Sequence, residues 1–180
     1  MTLLKQCYPP DHLMFGSDVR CAMEQSAVCT YPSEACGILL GYRETGLVEK
    51  ALRMENRTEK DISGWHYRID PLDLYRLECR IENEGYDLIG FYHSHADAEA
   101  ILSDEDEENM IPGMVYAILP VFQGKPGQIR VYRKTGTDVK AAGMPVKGCM
   151  TLAVSNTRYP LTVWKKRMIC FVNRAVSRQH

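Results

Sequence analysis

The longest apolar run in this chain, Met114–Phe122, is nine residues long and is interrupted by Pro120. A helix that crosses a bilayer needs about 20 such residues, so no transmembrane helix is expected. A run this short, bounded by Gly113 and Gly124, suits a buried strand, and the same signature recurs along the chain. Ala35–Leu40, followed by Gly41, and Leu47–Met54 read as an antiparallel pair turning at Arg43–Gly46. Asp87–His93 reads as a buried strand, and Met114–Leu119 with Gln128–Arg133 as a hairpin about Gly124-Lys125-Pro126-Gly127. Helical patterns lie between these runs. Leu13, Val19, Ala22, Met23, Ala27 and Val28 predict an amphipathic helix over 11–29 with Asp11 as its cap, stopped by Tyr31-Pro32-Ser33. Asp70-Pro71 caps and opens a second helix reaching about Glu84, which Gly85 stops, and Ser103 opens a third that ends before Pro112. Asn56–Gly64 reads as loop and His66–Ile69 as a short strand. Helices and strands intermixed with tight turns predict an α/β or α+β class, a single mixed β-sheet flanked by helices.

With 180 residues, 45% hydrophobic, the chain can bury a core without disulfide staples, and disordered, collagen-like and disulfide-scaffold classes are excluded. Its seven cysteines are odd in number and form no CxxC pair, which fits free thiols in a reducing compartment. Met1–Pro10 has no hydrophobic signal-peptide core, so a cytoplasmic location is expected. Charge is divided unevenly. Of 22 basic residues, eight follow Asp138, the last of 23 acids, which leaves residues 1–138 at net −9 and gives the tail +8. This predicts a main domain over 1–138 and a basic C-terminal tail over 139–180, to which the sequence assigns no role. Such a tail can meet an acidic protein face or its own acidic body. Only Tyr159, Trp164 and Phe171 accompany its charges as stacking platforms, so nucleic-acid binding is not expected.

Chemistry concentrates at His93 and His95. At i and i+2 on a strand they project from one face, as two ligands of one metal require, or as a pair of edge-strand histidines bonded to neighbouring side chains. Ser103 and Asp106 frame a helix start in a capping pattern. A first-turn side chain leans toward the helix N-terminus, so Asp106 reaches the imidazoles if the loop Ala96–Leu102 returns to the strand end. Two His nitrogens and one carboxylate leave a tetrahedral zinc with its fourth position open. Asp97 shares the histidine face if the strand continues, and spacing does not choose between the two acids. Cys36, beside Gly37 in an apolar run, reads as a core residue.

Glu34 within Tyr31-Pro32-Ser33-Glu34-Ala35-Cys36-Gly37, then Gly90-Phe91-Tyr92-His93-Ser94-His95, then seven residues, then Ser103 and Asp106, resembles the JAMM (MPN+) zinc metallopeptidases, in particular their prokaryotic stand-alone type. Asn56 and Tyr67–Pro71 add flanking matches, and the resemblance covers roughly residues 10 to 135. It implies an MPN/JAMM, cytidine-deaminase-like architecture. It also implies one Zn2+ per chain on His93, His95 and Asp106, with Glu34 as general acid/base and Ser103 stabilising the oxyanion. The family's usual substrates are ubiquitin-fold proteins cleaved after a C-terminal Gly-Gly. A stand-alone member is expected to process or deconjugate a small sulfur-carrier protein, with the carrier's adenylating enzyme as a further candidate partner. Alternatives are a ubiquitin-chain deubiquitinase and a catalytically silent MPN scaffold. The first is disfavoured because only His180 and two cysteines follow Asp106 to build an added structural zinc, and the second because every ligand is retained. A zinc deaminase would need a Pro-Cys-x-x-Cys element, which is absent. Two departures stand out: Ala96 and Leu102 occupy positions where the family usually has proline, which predicts a more mobile loop.

Overall fold

The computed structural model describes residues 12–57, 69–135, 138–144 and 149–151. Their elements in chain order are β1 (His12–Phe15), α1 (Ser17–Thr30), β2 (Cys36–Tyr42), β3 (Leu47–Met54), α2 (Pro71–Asn83), β4 (Asp87–Ala96), α3 (Asp104–Asn109), β5 (Val115–Phe122), β6 (Lys125–Pro126), β7 (Arg130–Thr135), β8 (Asp138–Gly143) and β9 (Cys149–Thr151). They build one mixed sheet in the order β8-β7-β5-β4-β2-β3-β1-β9, with β6 folded back on β5. β4 and β5 run parallel, as do β1 and β3, and the remaining neighbours are antiparallel. This is the mixed α+β class that the sequence predicts.

Period-two alternation gives the sheet two apolar faces. On one, Val19, Met23 and Ala27 of α1 pack with Leu39 of β2, Tyr92 of β4, and Val115, Ala117, Leu119 and Val121 of β5. On the other, Leu74, Leu77 and Ile81 of α2 share a core with Ile38, Leu40, Phe91, Tyr116 and Ile118. Phe91 therefore fixes the direction of the residues that alternate with it, and His93 and His95 face the α2 side. Gly37 makes this register possible: a Cβ there would lie 2.2 Å from the Leu52 carbonyl oxygen and 2.4 Å from the Tyr92 ring.

The N-terminal expectation needs correction. Residues 12–15 are a strand, paired to β3 through Met14↔Leu47 and Phe15↔Val48, and the helix begins only at Ser17 after Gly16. Leu13 is fully buried as an inward strand residue, and over so short a stretch its spacing to Val19 serves either period. Asp11 and most of the expected strand His66–Ile69 lie outside the described residues. β4 continues to Ala96, past the expected end at His93, and β7 starts at Arg130. The division expected at 138/139 falls at the start of β8, which pairs with β7 from Thr135↔Asp138 to Arg130↔Gly143. Met144, 3% exposed, joins the α1-side core, and β9 pairs with β1 at the opposite edge. Among the described residues no helix is long and apolar enough to cross a membrane.

Candidate metal centre

Three segments converge at the end of β4 where the parallel crossover to β5 begins. The first is the turn leaving α1, where Tyr31 N–H donates to the Ala27 carbonyl and Ser33 N–H to that of Thr30. Glu34 follows, its carbonyl accepting a hydrogen bond from Asn56 Nδ2 at 3.0 Å. The next peptide is clamped to β4: Ala35 N–H donates to Ser94 Oγ at 2.8 Å, and Ser94 N–H to the Ala35 carbonyl at 2.9 Å. Ser94 lies between the two histidines and points to the opposite face, so one strand supplies both the candidate ligands and the clamp on Glu34. Glu34 is only 4% exposed. Burial, helped by the charge of Asp106 and opposed by that of His95, pushes its carboxyl up to about 8.

The second segment carries the imidazoles. His93 Nε2 and His95 Nε2 stand 2.9 Å apart. His95 Nδ1 lies 2.9 Å from the Glu99 carbonyl oxygen, to which it can only donate, and neutral His95 therefore presents its lone pair on Nε2. Burial pushes His93 down despite its hydrogen bond with Asp106, which favours the neutral, ligating form. For His95 burial acts downward as well, but Asp106, the Glu99 carbonyl and Glu34 together raise it.

The third segment is the start of α3. Ser103 Oγ accepts from Asp106 N–H at 3.1 Å, Ser103 N–H donates to Asp106 Oδ2 at 3.0 Å, and the Ser103 hydroxyl donates to the same oxygen at 2.6 Å. This capping box starts the six-residue helix and aims Asp106 at the imidazoles. Asp106 Oδ1 is 3.4 Å from His93 Nε2, and Oδ2 is 3.7 Å from His95 Nε2. Burial opposes the charge on Asp106, but bonds from His93, His95 and Ser103 hold it well below the usual carboxylate range. The loop behind it is anchored by the Tyr132 hydroxyl, which donates to the Ala100 carbonyl, and by Ile111 N–H, which donates to the Tyr116 oxygen at 2.8 Å.

The donor set fits zinc. Ligand atoms about 2.0 Å from a tetrahedral zinc lie about 3.3 Å from one another; here the imidazole nitrogens stand 2.9 Å apart, and each has its own Asp106 oxygen near that spacing, Oδ1 at 3.4 Å from His93 and Oδ2 at 3.7 Å from His95. Among the described residues, His93, His95 and Asp106 are the one group of three or more such side chains close enough to share an ion. Asp97 is elsewhere: its backbone turns to φ +53°, and its carboxylate bonds the Tyr31 hydroxyl and the Gln123 N–H, both at 2.8 Å. Cys36 is fully buried, and burial first, with the charge of Glu34, pushes its thiol up to about 12, as for an inert core residue. Sequence reasoning overlooked Ser94 and Tyr132. The alternation that put the histidines on one face also put Ser94 on the other, whereas no local pattern ties Tyr132 to Ala100.

Residues 17–134 match the family described as prokaryotic homologs of the JAB domain. The chain belongs to that family. A desampylase of Haloferax volcanii is 30% identical over 117 residues, 64% of this chain and 80% of that protein. The solution structure of a Desulfitobacterium hafniense protein superposes with a TM-score of 0.62 at 25% identity, covering 72% of this chain and 89% of that one. A Salinibacter ruber protein at 23% identity shares the fold, with a TM-score of 0.54 over 83% of this chain and 95% of its own. This JAB-domain protein is a JAMM-type isopeptidase related to the desampylase, and its His-His-Asp cluster is typical of catalytic JAMM zinc metallopeptidases.

Proposed function

We propose that this isopeptidase holds one Zn2+ on His93, His95 and Asp106 and cleaves after the C-terminal Gly-Gly of a ubiquitin-fold protein, chiefly to process or deconjugate a small sulfur carrier. The observation that carries the reading is a buried carboxyl, Glu34, close enough to feel the charges of His95 and Asp106, beside a His93-His95-Asp106 group that could share one ion. The match to a protein named desampylase supports an isopeptidase acting on a ubiquitin-like carrier. When bound, zinc supplies polarisation of the scissile carbonyl and a water acidified from 15.7 toward about 7. Glu34 takes the proton from the attacking water and returns it to the leaving amine. Its burial raises its proton affinity and a bound cation would lower it again, so the same group can take and return a proton. Ser103 supports the oxyanion by turning its hydroxyl from Asp106 toward the substrate, while the Ser103 N–H keeps its bond to Asp106 Oδ2. The setting is cytoplasmic, and the carrier's adenylating enzyme is a further candidate partner.

The test is Glu34→Gln, assayed on a ubiquitin-fold protein extended beyond its Gly-Gly. Turnover should fall by about 10³- to 10⁴-fold at unchanged zinc content, because one group serves as both base and acid. An active variant with full zinc would assign the proton to another residue, and a wild-type protein that takes up no zinc would remove the enzymatic reading.

A further inference from the structure

The turn carrying Glu34 and the strand end carrying His95 are distant in sequence, and one side chain joins them. Asp97, two residues past His95, accepts the Tyr31 hydroxyl on Oδ2 and the Gln123 N–H on Oδ1, both at 2.8 Å, and its own N–H donates to the Val121 carbonyl at 2.7 Å. Tyr31 closes α1 three residues before Glu34, and Gln123 follows directly on β5. An exposed aspartate ordinarily spends its oxygens on water, yet here each is turned to a protein donor. The backbone is bent to allow it: Asp97 and Gln123 adopt φ of +53° and +49°, a region that costs an L residue about 1 kcal/mol or more unless its surroundings fix it. Neither bond serves the donor cluster, from which Asp97 is absent. What they serve is the other half of the site. On its C-terminal side Glu34 is tied by Asn56 and Ser94, and on its N-terminal side the Tyr31–Asp97 bond links the turn to the end of β4.

We propose that Asp97 is a positioning residue that staples the Glu34 turn to the end of β4 and β5 and so sets the Glu34 carboxyl relative to His93, His95 and Asp106. The proposal rests on the reading of Glu34 as the proton-handling group. Displacing such a group by about 1 Å can cost on the order of 10²-fold in rate, so one hydrogen bond outside the cluster has leverage on turnover.

Substitutions at two positions separate the staple from the bend. Asp97→Gly accepts the positive φ without strain but removes the side chain. Asp97→Asn keeps the bend, accepts Gln123 N–H on its amide oxygen and donates its NH2 to the Tyr31 oxygen. Tyr31→Phe removes the hydroxyl alone. With a Gly-Gly-extended ubiquitin-fold protein as substrate, Asp97→Gly and Tyr31→Phe should lower kcat about 10-fold or more with KM within about twofold and zinc content unchanged. Asp97→Asn should stay within about threefold of wild type, and Tyr31→Phe added to Asp97→Gly should cost no more than Asp97→Gly alone, since the two share one bond. Amide hydrogen exchange at Ser33 and Gln123 reads the staple without turnover and should accelerate in Asp97→Gly but not in Asp97→Asn. Wild-type kcat in Asp97→Gly would show that the bend alone matters, and an Asn variant as slow as Gly would overturn the rescue on which the proposal depends. Exchange unchanged in Asp97→Gly refutes the staple whatever the activity, whereas a wild-type protein inactive on every such substrate sinks the functional reading and leaves the exchange result to decide the staple.

Discussion

Glu34→Gln makes a second prediction that needs no substrate, because a buried carboxyl taxes stability in a pH-dependent way. In the metal-free protein its folded value is about 8 against an ordinary 4.5. Between these values the folded chain keeps a proton that the unfolded chain has released, so stability is highest below the unfolded value and falls as pH rises toward the folded one. The slope is about 1.4 kcal/mol per pH unit, which from pH 4.5 to 7 amounts to roughly 3 kcal/mol. In a domain of this size that corresponds to about 6 to 12 °C in Tm. Glutamine has no such dependence. Melting curves of both proteins in chelator, from pH 5 to 8.5, should therefore diverge, with the wild type losing more stability as pH rises. Added zinc should flatten the wild-type slope, since a nearby cation favours the carboxylate. Parallel slopes in chelator would refute the argument, for they would mean that Glu34 is no harder to ionise in the folded protein than in the unfolded one.

Asp106→Ala should abolish stoichiometric zinc, while Asp97→Ala should retain it, and metal analysis after reconstitution separates the two acids. Ser103→Ala should reduce turnover about 10²- to 10³-fold and lower stability by about 1 kcal/mol, seen separately in kinetics and melting curves, because the residue caps α3 and is proposed to support the oxyanion. Tyr132→Phe should leave the core intact but free the Ala100 carbonyl, weakening zinc binding in a chelator competition; unchanged affinity would show that the loop holds without it. Truncation before β8 should destabilise by at least about 2 kcal/mol, since it removes Met144 from the α1-side core and strips a strand from each sheet edge. A truncated protein with the full protein's Tm would show residues 1–138 to be a self-sufficient domain.

The parts legible in the sequence are those governed by short-range rules. The strand carrying His93 and His95 follows from an apolar run with period-two projection, the start of α2 from Asp70-Pro71, and the aim of Asp106 from a capping box whose reach is fixed within one helical turn. Where a long-range pairing decides, the pattern is silent. Residues 12–15 form a strand because β3 offers them a parallel edge, and nothing within that tetrapeptide encodes the partner. The same holds for β8, whose lysine reads as part of a basic tail until its pairing with β7 is seen. The choice between Asp97 and Asp106 turned on a single backbone torsion, the positive φ that points Asp97 at Tyr31 and away from the histidines. The loop expected to be more mobile without its prolines carries hydrogen bonds from the Tyr31 hydroxyl, the Gln123 N–H and the Tyr132 hydroxyl.

The β1–β9 edge has a consequence for the order in which the protein matures during synthesis. His12 is among the first described residues to leave the ribosome, but its partner Thr151 is made only after every segment of the metal centre. Glu34, both histidines, Asp106 and the β5 strand that cradles them are all available while one sheet edge still waits for its outer strand. A nascent chain can therefore bring its candidate metal donors together before its outline is complete. Metal acquired at that stage would act as a folding ligand for the unfinished protein, drawing it toward the native sheet in proportion to the free zinc around it.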